Sequence, residues 1–165
     1  MIRPFAASLL ALCIAAPVLA QESPPPMSPE GAGPVRVGMT AKEALAIRPA
    51  PISGGGDDPA VCEEYGLDES RALSFMIEDG RVVRTSASEG GRTTEGVKVG
   101  DPVAKVRATY KGLVKEGAPY DLPPAHDLYW WKTPKSGLRF EIDGQGRVSR
   151  IHAGGEAIRY AEGCF

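Results

Sequence analysis

The chain has 165 residues, with 19 basic and 21 acidic side chains and a formal net charge of −2 at pH 7. That balance, with no basic stripe, excludes a nucleic-acid backbone as the natural partner. The length allows one respectable hydrophobic core or two small fused ones.

Residues 1–20, MIRPFAASLLALCIAAPVLA, put Arg3 ahead of an apolar stretch from Phe5 to Val18 and end in Val18-Leu19-Ala20. This is the pattern of a secretory signal peptide cleaved after Ala20. The run is short for a bilayer span and Pro17 interrupts it, so the mature chain is read without a transmembrane segment. Cys13 follows Leu12, where a lipobox wants a small residue, so a lipoprotein anchor is the lesser reading. The mature chain would carry 18 basic and 21 acidic residues, about −3 net, in the periplasm or outside the cell.

Residues 21–34, QESPPPMSPEGAGP, form a proline-rich leader, read as an extended tether that packs no core. A first α/β repeat is assigned to 35–89. Val35 and Val37 alternate with Arg36, Gly38 breaks the strand, and Thr40-Ala41-Lys42-Glu43 is a capping box before a short helix stopped by Pro49. Strands are expected over 61–65 and 72–78, where Leu73, Phe75 and Ile77 face one way. Asp79-Gly80 makes a hairpin turn, and 82–88 returns.

A second repeat is assigned to 90–165. "VKVGDPVAKVR" from Val97 repeats "VRVGMTAKEAL" from Val35, 62 residues on. Asp101 is read as the helix cap with Pro102 in the first turn. A long loop follows over "KEGAPYDLPPAH", then a strand over 128–132. Leu138, Phe140 and Ile142 alternate, "DGQGR" turns, 148–153 returns, and 157–160 is read as a last strand. The fold expected is α+β: two tandem units, each a short helix layer packed on an antiparallel β-sheet.

These motifs resemble the small envelope domains related to the BamE/SmpA lipoprotein of the outer-membrane β-barrel assembly machinery. The secreted β-lactamase inhibitor proteins share that superfamily shape and carry two tandem copies. The matching residues are Gly38, Met39, Thr40 and Glu43, more loosely Gly100 and Asp101, and the two Gly-Arg-Val stretches at 80–82 and 146–148. The resemblance covers the chain from Val35 onward. It implies helices against an antiparallel sheet, a role in binding, and no catalytic residues or cofactor.

Cys62 and Cys164 are the cysteines outside residues 1–20. In an exported chain they are expected to form one disulfide, a staple between the halves. His126 and His152 have no metal-ligand spacing, and no G-x-S-x-G elbow occurs. No metal site is assigned, and the acidic pairs Asp57-Asp58, Glu63-Glu64 and Asp68-Glu69 read as solvated loop charge. "DLYWWKTP" puts large rings on both faces of a strand. If one face is core, Trp130 lies there with Leu128 while Tyr129 and Trp131 lie on the open face, or the reverse. Tyr129, Trp130, Trp131 and, in the preceding loop, Tyr120 are the candidate binding residues, since such rings desolvate much area and keep a polar handle. The function expected is a non-catalytic exported binding protein of the envelope, hydrolase-inhibitor-like or assembly-like. Its partner would be another envelope or secreted protein, or cell-wall glycan. The alternatives are a small periplasmic hydrolase with a site around His126 and a purely structural envelope protein.

Overall fold

The computed structural model describes residues 24–52, 62–67 and 71–164. The signal peptide with its cleavage point, Cys13, and the acids at 57–58 and 68–69 lie outside the described residues. Three very short strands come first: β1 (Met27–Ser28), β2 (Gly31–Ala32) and β3 (Val35–Arg36). Helix α1 (Ala41–Leu45), β4 (Ala50–Pro51), β5 (Cys62–Gly66), β6 (Leu73–Glu78) and β7 (Arg81–Ala87) complete the first half. The second half runs α2 (Val103–Thr109), β8 (Val114–Gly117), β9 (His126–Thr133), β10 (Ser136–Ile142) and β11 (Val148–Gly154).

β4 to β11 form one eight-stranded antiparallel sheet in the order β4-β5-β6-β7-β11-β10-β9-β8. Each half is therefore a four-stranded meander, and the two meet along β7 and β11 with Ala87 opposite Ile151 and Ser86 opposite His152. Alternation gives the sheet one apolar face. Leu73, Phe75, Ile77, Leu138, Phe140 and Ile142 are at most 3% exposed there. They pack beneath Ala44 of α1 and Val106 of α2.

The expected α+β arrangement, a helix layer on a separate sheet in each unit, is not what forms. The helices have five and seven residues, too few to make a layer. Pro49 and Gly112 cut the helical runs short. β7 and β11, each an unpaired edge within its own meander, satisfy one another's backbone groups and fuse the halves into a single sheet. The protein is mostly antiparallel β, with a second, three-stranded sheet of order β1-β2-β3.

The two helix entries are built alike. Gly38 and Gly100 have φ of +88° and +90°. Their N–H groups donate to the carbonyls of Val82 and Val148, both at 2.7 Å, and Val82 and Val148 donate back to Met39 and Asp101 at 2.8 and 2.9 Å. Arg81 and Arg147 each reach from the hairpin to the carbonyl of that glycine, Gly38 or Gly100, at 2.9 Å. So Gly-Arg-Val in each hairpin latches Val-Gly before each helix. The capping box forms as read: the Glu43 amide donates to Thr40 Oγ1 at 3.3 Å and the Thr40 amide to Glu43 Oε2 at 2.9 Å.

Four local readings are corrected. The leader is no free tether: Met27 is 0% exposed, and its N–H and C=O bond to Arg92 and Thr94. Asp101 does not cap α2, because Pro102 holds the N-cap position. Its carboxylate accepts from the Lys98 amide and Lys105 Nζ, both at 2.7 Å. The stretch after Gly112 contains β8, paired with β9, rather than loop alone. Residues Glu156–Arg159 form a 3-10 turn, not a strand.

Adding a methyl at Gly38 or Gly100 meets nothing within 4 Å, so its only penalty is the left-handed backbone. Gly38→Ala and Gly100→Ala should each lower stability by about 1–2 kcal/mol, and by similar amounts, in chemical denaturation. A marked inequality would mean that the two latches differ in strength.

Candidate interaction site

Strand β9 alternates between the two faces of the sheet. Leu128 and Trp130 face the core, with the Trp130 ring 4.9 Å from Tyr110. Tyr129 and Trp131 lie on the opposite face, but neither is open. Tyr129 is buried and Trp131 half-buried, because the C-terminal segment after β11 crosses them. Arg159 lies 4.9 Å over the Tyr129 ring and 5.6 Å over Trp131. Arg159 is itself held by both oxygens of Glu116, at 2.7 and 2.9 Å.

Of the four aromatic candidates, Tyr120 is the one presented to solvent, at 73% exposure. It sits with Leu122, 86% exposed, in the 118–125 connection from β8 to β9. Pro119, Pro123 and Pro124 restrict that connection, and the Pro123–Pro124 peptide is cis. The Tyr120 hydroxyl bonds to Glu162 of the C-terminal segment. Leu122 was not singled out in the sequence, although an aliphatic side chain between prolines is a readable sign of exposure.

His126 Nδ1 lies 2.9 Å from the Pro124 carbonyl, so it donates there. Among the described residues no nucleophile or carboxylate bonds to its ring, and Asp127 points to the other face. The alternative of a hydrolase site around His126 finds no assembled group of partners among the described residues.

The face under the C-terminal segment carries buried charge. Arg139, 2% exposed, meets Asp127 at 3.0 Å and Glu141 at 3.1 Å. It also donates to the carbonyls of Ile158 and Tyr160 at 3.1 and 2.9 Å. Arg84, 3% exposed, donates to Tyr160 and Glu162 carbonyls, both at 3.3 Å, and lies 3.9 Å from Glu64. The Cys62–Cys164 disulfide, with Cα atoms 5.4 Å apart, pins the end of this segment to β5. The expected pairing of the two cysteines is thus present.

A relay crosses the seam between the halves. Glu141 Oε1 is 2.8 Å from His152 Nε2, and His152 Nδ1 is 2.8 Å from Ser86 Oγ. A carboxylate only accepts, so Nε2 carries the proton and Nδ1 accepts from the serine hydroxyl. Sequence reading missed this group, since residues 86, 141 and 152 are brought together only by the register of three strands. Full burial pushes the His152 pKa down to about 4, against the pull of Glu141. A base that weak takes a serine proton poorly at neutral pH, and the relay joins an ionised Glu141 to a neutral His152 and Ser86 across the seam.

Asp127 is shifted the other way, up to about 6, because desolvation outweighs its pairing with Arg139. Glu141 is down at about 2, the bond from His152 and the nearby arginines overcoming its burial. No group of three or more His, Cys, Asp or Glu side chains could hold a metal ion among the described residues, and none of their helices is long and apolar enough to cross a membrane.

No protein-family model matches the chain, and no curated protein does. Among solved structures, a cysteine-rich secretory protein from Staphylococcus aureus aligns over 74% of this chain and 45% of its own, at 12% identity and a TM-score of 0.41. This chain spans less than half the length of that protein, and the likeness is too slight to carry fold or function.

The three shifts fix a pH profile. Between about 6.5 and 4, acid charges His152 in the unfolded chain but not in the fold, which costs stability. Between about 6 and 3.8, acid protonates Asp127 in the fold first, which adds stability of similar size. Glu141 then loses its contribution between about 4.5 and 2. For the part governed by these groups, stability should stay nearly flat from pH 6 to 4.5 and fall steeply below. Asp127→Asn removes the offset, so that variant should weaken from pH 6.5 downward; urea denaturation across the range checks both profiles.

Proposed function

We propose that the protein is an exported, non-catalytic binding protein of the cell envelope, periplasmic or secreted, related to the tandem BamE/SmpA-like and inhibitor-like domains. The repeated latch around Gly38 and Gly100 supports that relationship. The Cys62–Cys164 disulfide supports an oxidising compartment.

The observation that carries the binding reading is the exposure of Tyr120 and Leu122 on a proline-restricted connection beside the edge strand β8. Proline lowers the entropy lost when such a segment is immobilised against a partner. A ring with a hydroxyl and a branched aliphatic chain then supply the desolvated anchor of a contact. Another envelope or secreted protein is the partner that such an apolar pair fits best. Glycan binding, by contrast, would use the Tyr120 ring and not require Leu122.

The Tyr120→Ala/Leu122→Ala variant should keep its far-UV circular dichroism and melting temperature and lose, at least about tenfold, the cross-linked partner captured by the wild type. Loss on Tyr120→Ala alone, with full capture by Leu122→Ala, would favour glycan. Unchanged capture by the double variant would overturn the assignment of this loop. Covalent labelling of Ser86 by a fluorophosphonate would overturn the non-catalytic reading.

A further inference from the structure

The half of the polar sheet face that the C-terminal segment leaves open forms a cleft of about 260 Å3. Glu64, Arg71, Ser74, Ser86, Ser88 and Arg150 line it. It lies over β5, β6, β7 and β11, away from the β8–β9 end of the sheet that carries Tyr120 and Leu122.

The hydrogen bonds fix what this cleft offers. Ser74 donates to Glu64 at 3.2 Å, Ser86 to His152 at 2.8 Å, and Ser88 to the Ala72 carbonyl at 3.4 Å. Each hydroxyl hydrogen is used within the protein, so the three oxygens face the cleft as acceptors. The donors are the guanidiniums of Arg71, which also reaches the Pro51 carbonyl at 3.5 Å, and of Arg150, which lies opposite Glu141 on the next strand; neither is ion-paired with a described carboxylate within 4.0 Å. Glu64 is tied to Ser74 and lies 3.9 Å from buried Arg84, so its charge is partly offset within the wall.

Arg71 has a φ of +54°, in the left-handed region that a side chain bearing a Cβ occupies at a cost. Glycine would sit there more comfortably, as it would at Arg48 and Asp79, whose φ values are +57° and +49°.

We propose that this cleft binds a carboxylate with a hydrogen-bond donor beside it, as in a 2-hydroxy acid or an acidic residue of a peptide. Arg71 and Arg150 hold the carboxylate through charge-assisted bonds. The serine oxygens accept from the neighbouring donor. Glu64 at the wall disfavours a dianion such as phosphate. The volume suits a group of a few heavy atoms, below the usual range of about 300–1,000 Å3 for drug-sized ligands. The site is independent of the loop contact proposed above.

Calorimetric titration of the disulfide-bonded protein tests it with glycolate, N-acetyl-aspartate amide, acetate and glycerol as probes. One or both of the first two should bind with a Kd on the order of 1 mM. Acetate should bind several-fold more weakly and glycerol not at all. Tighter glycolate points to a free small acid, and tighter aspartate amide to a partner's side chain.

Arg71→Gly and Arg150→Gln should each weaken binding at least about tenfold. Arg71→Gly should also melt no lower than the wild type, because glycine relieves the left-handed backbone. The Tyr120→Ala/Leu122→Ala variant should bind the probes unchanged. Absence of binding by both acids, binding that survives both arginine substitutions, or acetate equal to glycolate would overturn the proposal.

Discussion

Four residue pairs, from Ala87 opposite Ile151 to Arg84 opposite Gly154, join β7 to β11 and hold the halves in one sheet. The rest of the structure hangs on that seam. Ala87 and Ile151 belong to the core on one side of it, while Ser86 and His152 lie on the other. Without the seam, the relay from Glu141 through His152 would end short of Ser86, and the cleft over β5 to β11 would lose the Arg150 wall. A register slip of one residue would also turn every apolar side chain of one half to the polar face, so the pairing is strongly specified by the core itself.

The polar face would be a liability if left bare. Two guanidiniums at 2% and 3% exposure cost several kcal/mol each in lost hydration unless nearly every donor finds a partner. Carboxylates and the carbonyls of the C-terminal segment answer most of that need, and the Nε of each arginine is left without a hydrogen-bond partner. This explains why a stretch of few apolar residues is held so firmly: Ala157 and Ile158 are buried, the arginines grip its backbone, and the disulfide fixes its end. The same arrangement explains the fate of Tyr129 and Trp131. A face covered by its own chain has no room left there for a partner.

Local chemistry was legible in the residues. The Thr40 and Glu43 spacing gave the capping box, Asp79-Gly80 the turn, and the alternation of Leu73, Phe75 and Ile77 the buried face. Pairing of Cys62 with Cys164 followed from there being no other cysteine beyond the leader. What could not be read was set by distance along the chain. His152, Glu141 and Ser86 carry no common spacing, and only strand register brings them together. The repeat was visible, but not that β7 would find β11 and turn two expected sheets into one. Met27 looked stranded among prolines, whereas its burial depends on the Arg92–Thr94 backbone, which no local pattern announces. The aromatic run left open which rings would be exposed, because nothing near it in sequence revealed what would lie across it.

The two outer flanks of the large sheet are β4 and β8, of two and four residues. β4 carries Pro51, which has no amide hydrogen to offer, and β8 carries Lys115 and Glu116. Long, flat, apolar flanks invite a stranger's backbone to continue the ladder, and short ones bearing proline and charge do not. By ending in its two shortest strands, the fold leaves a wide hydrogen-bonded surface with little flank on which a fibril could be seeded.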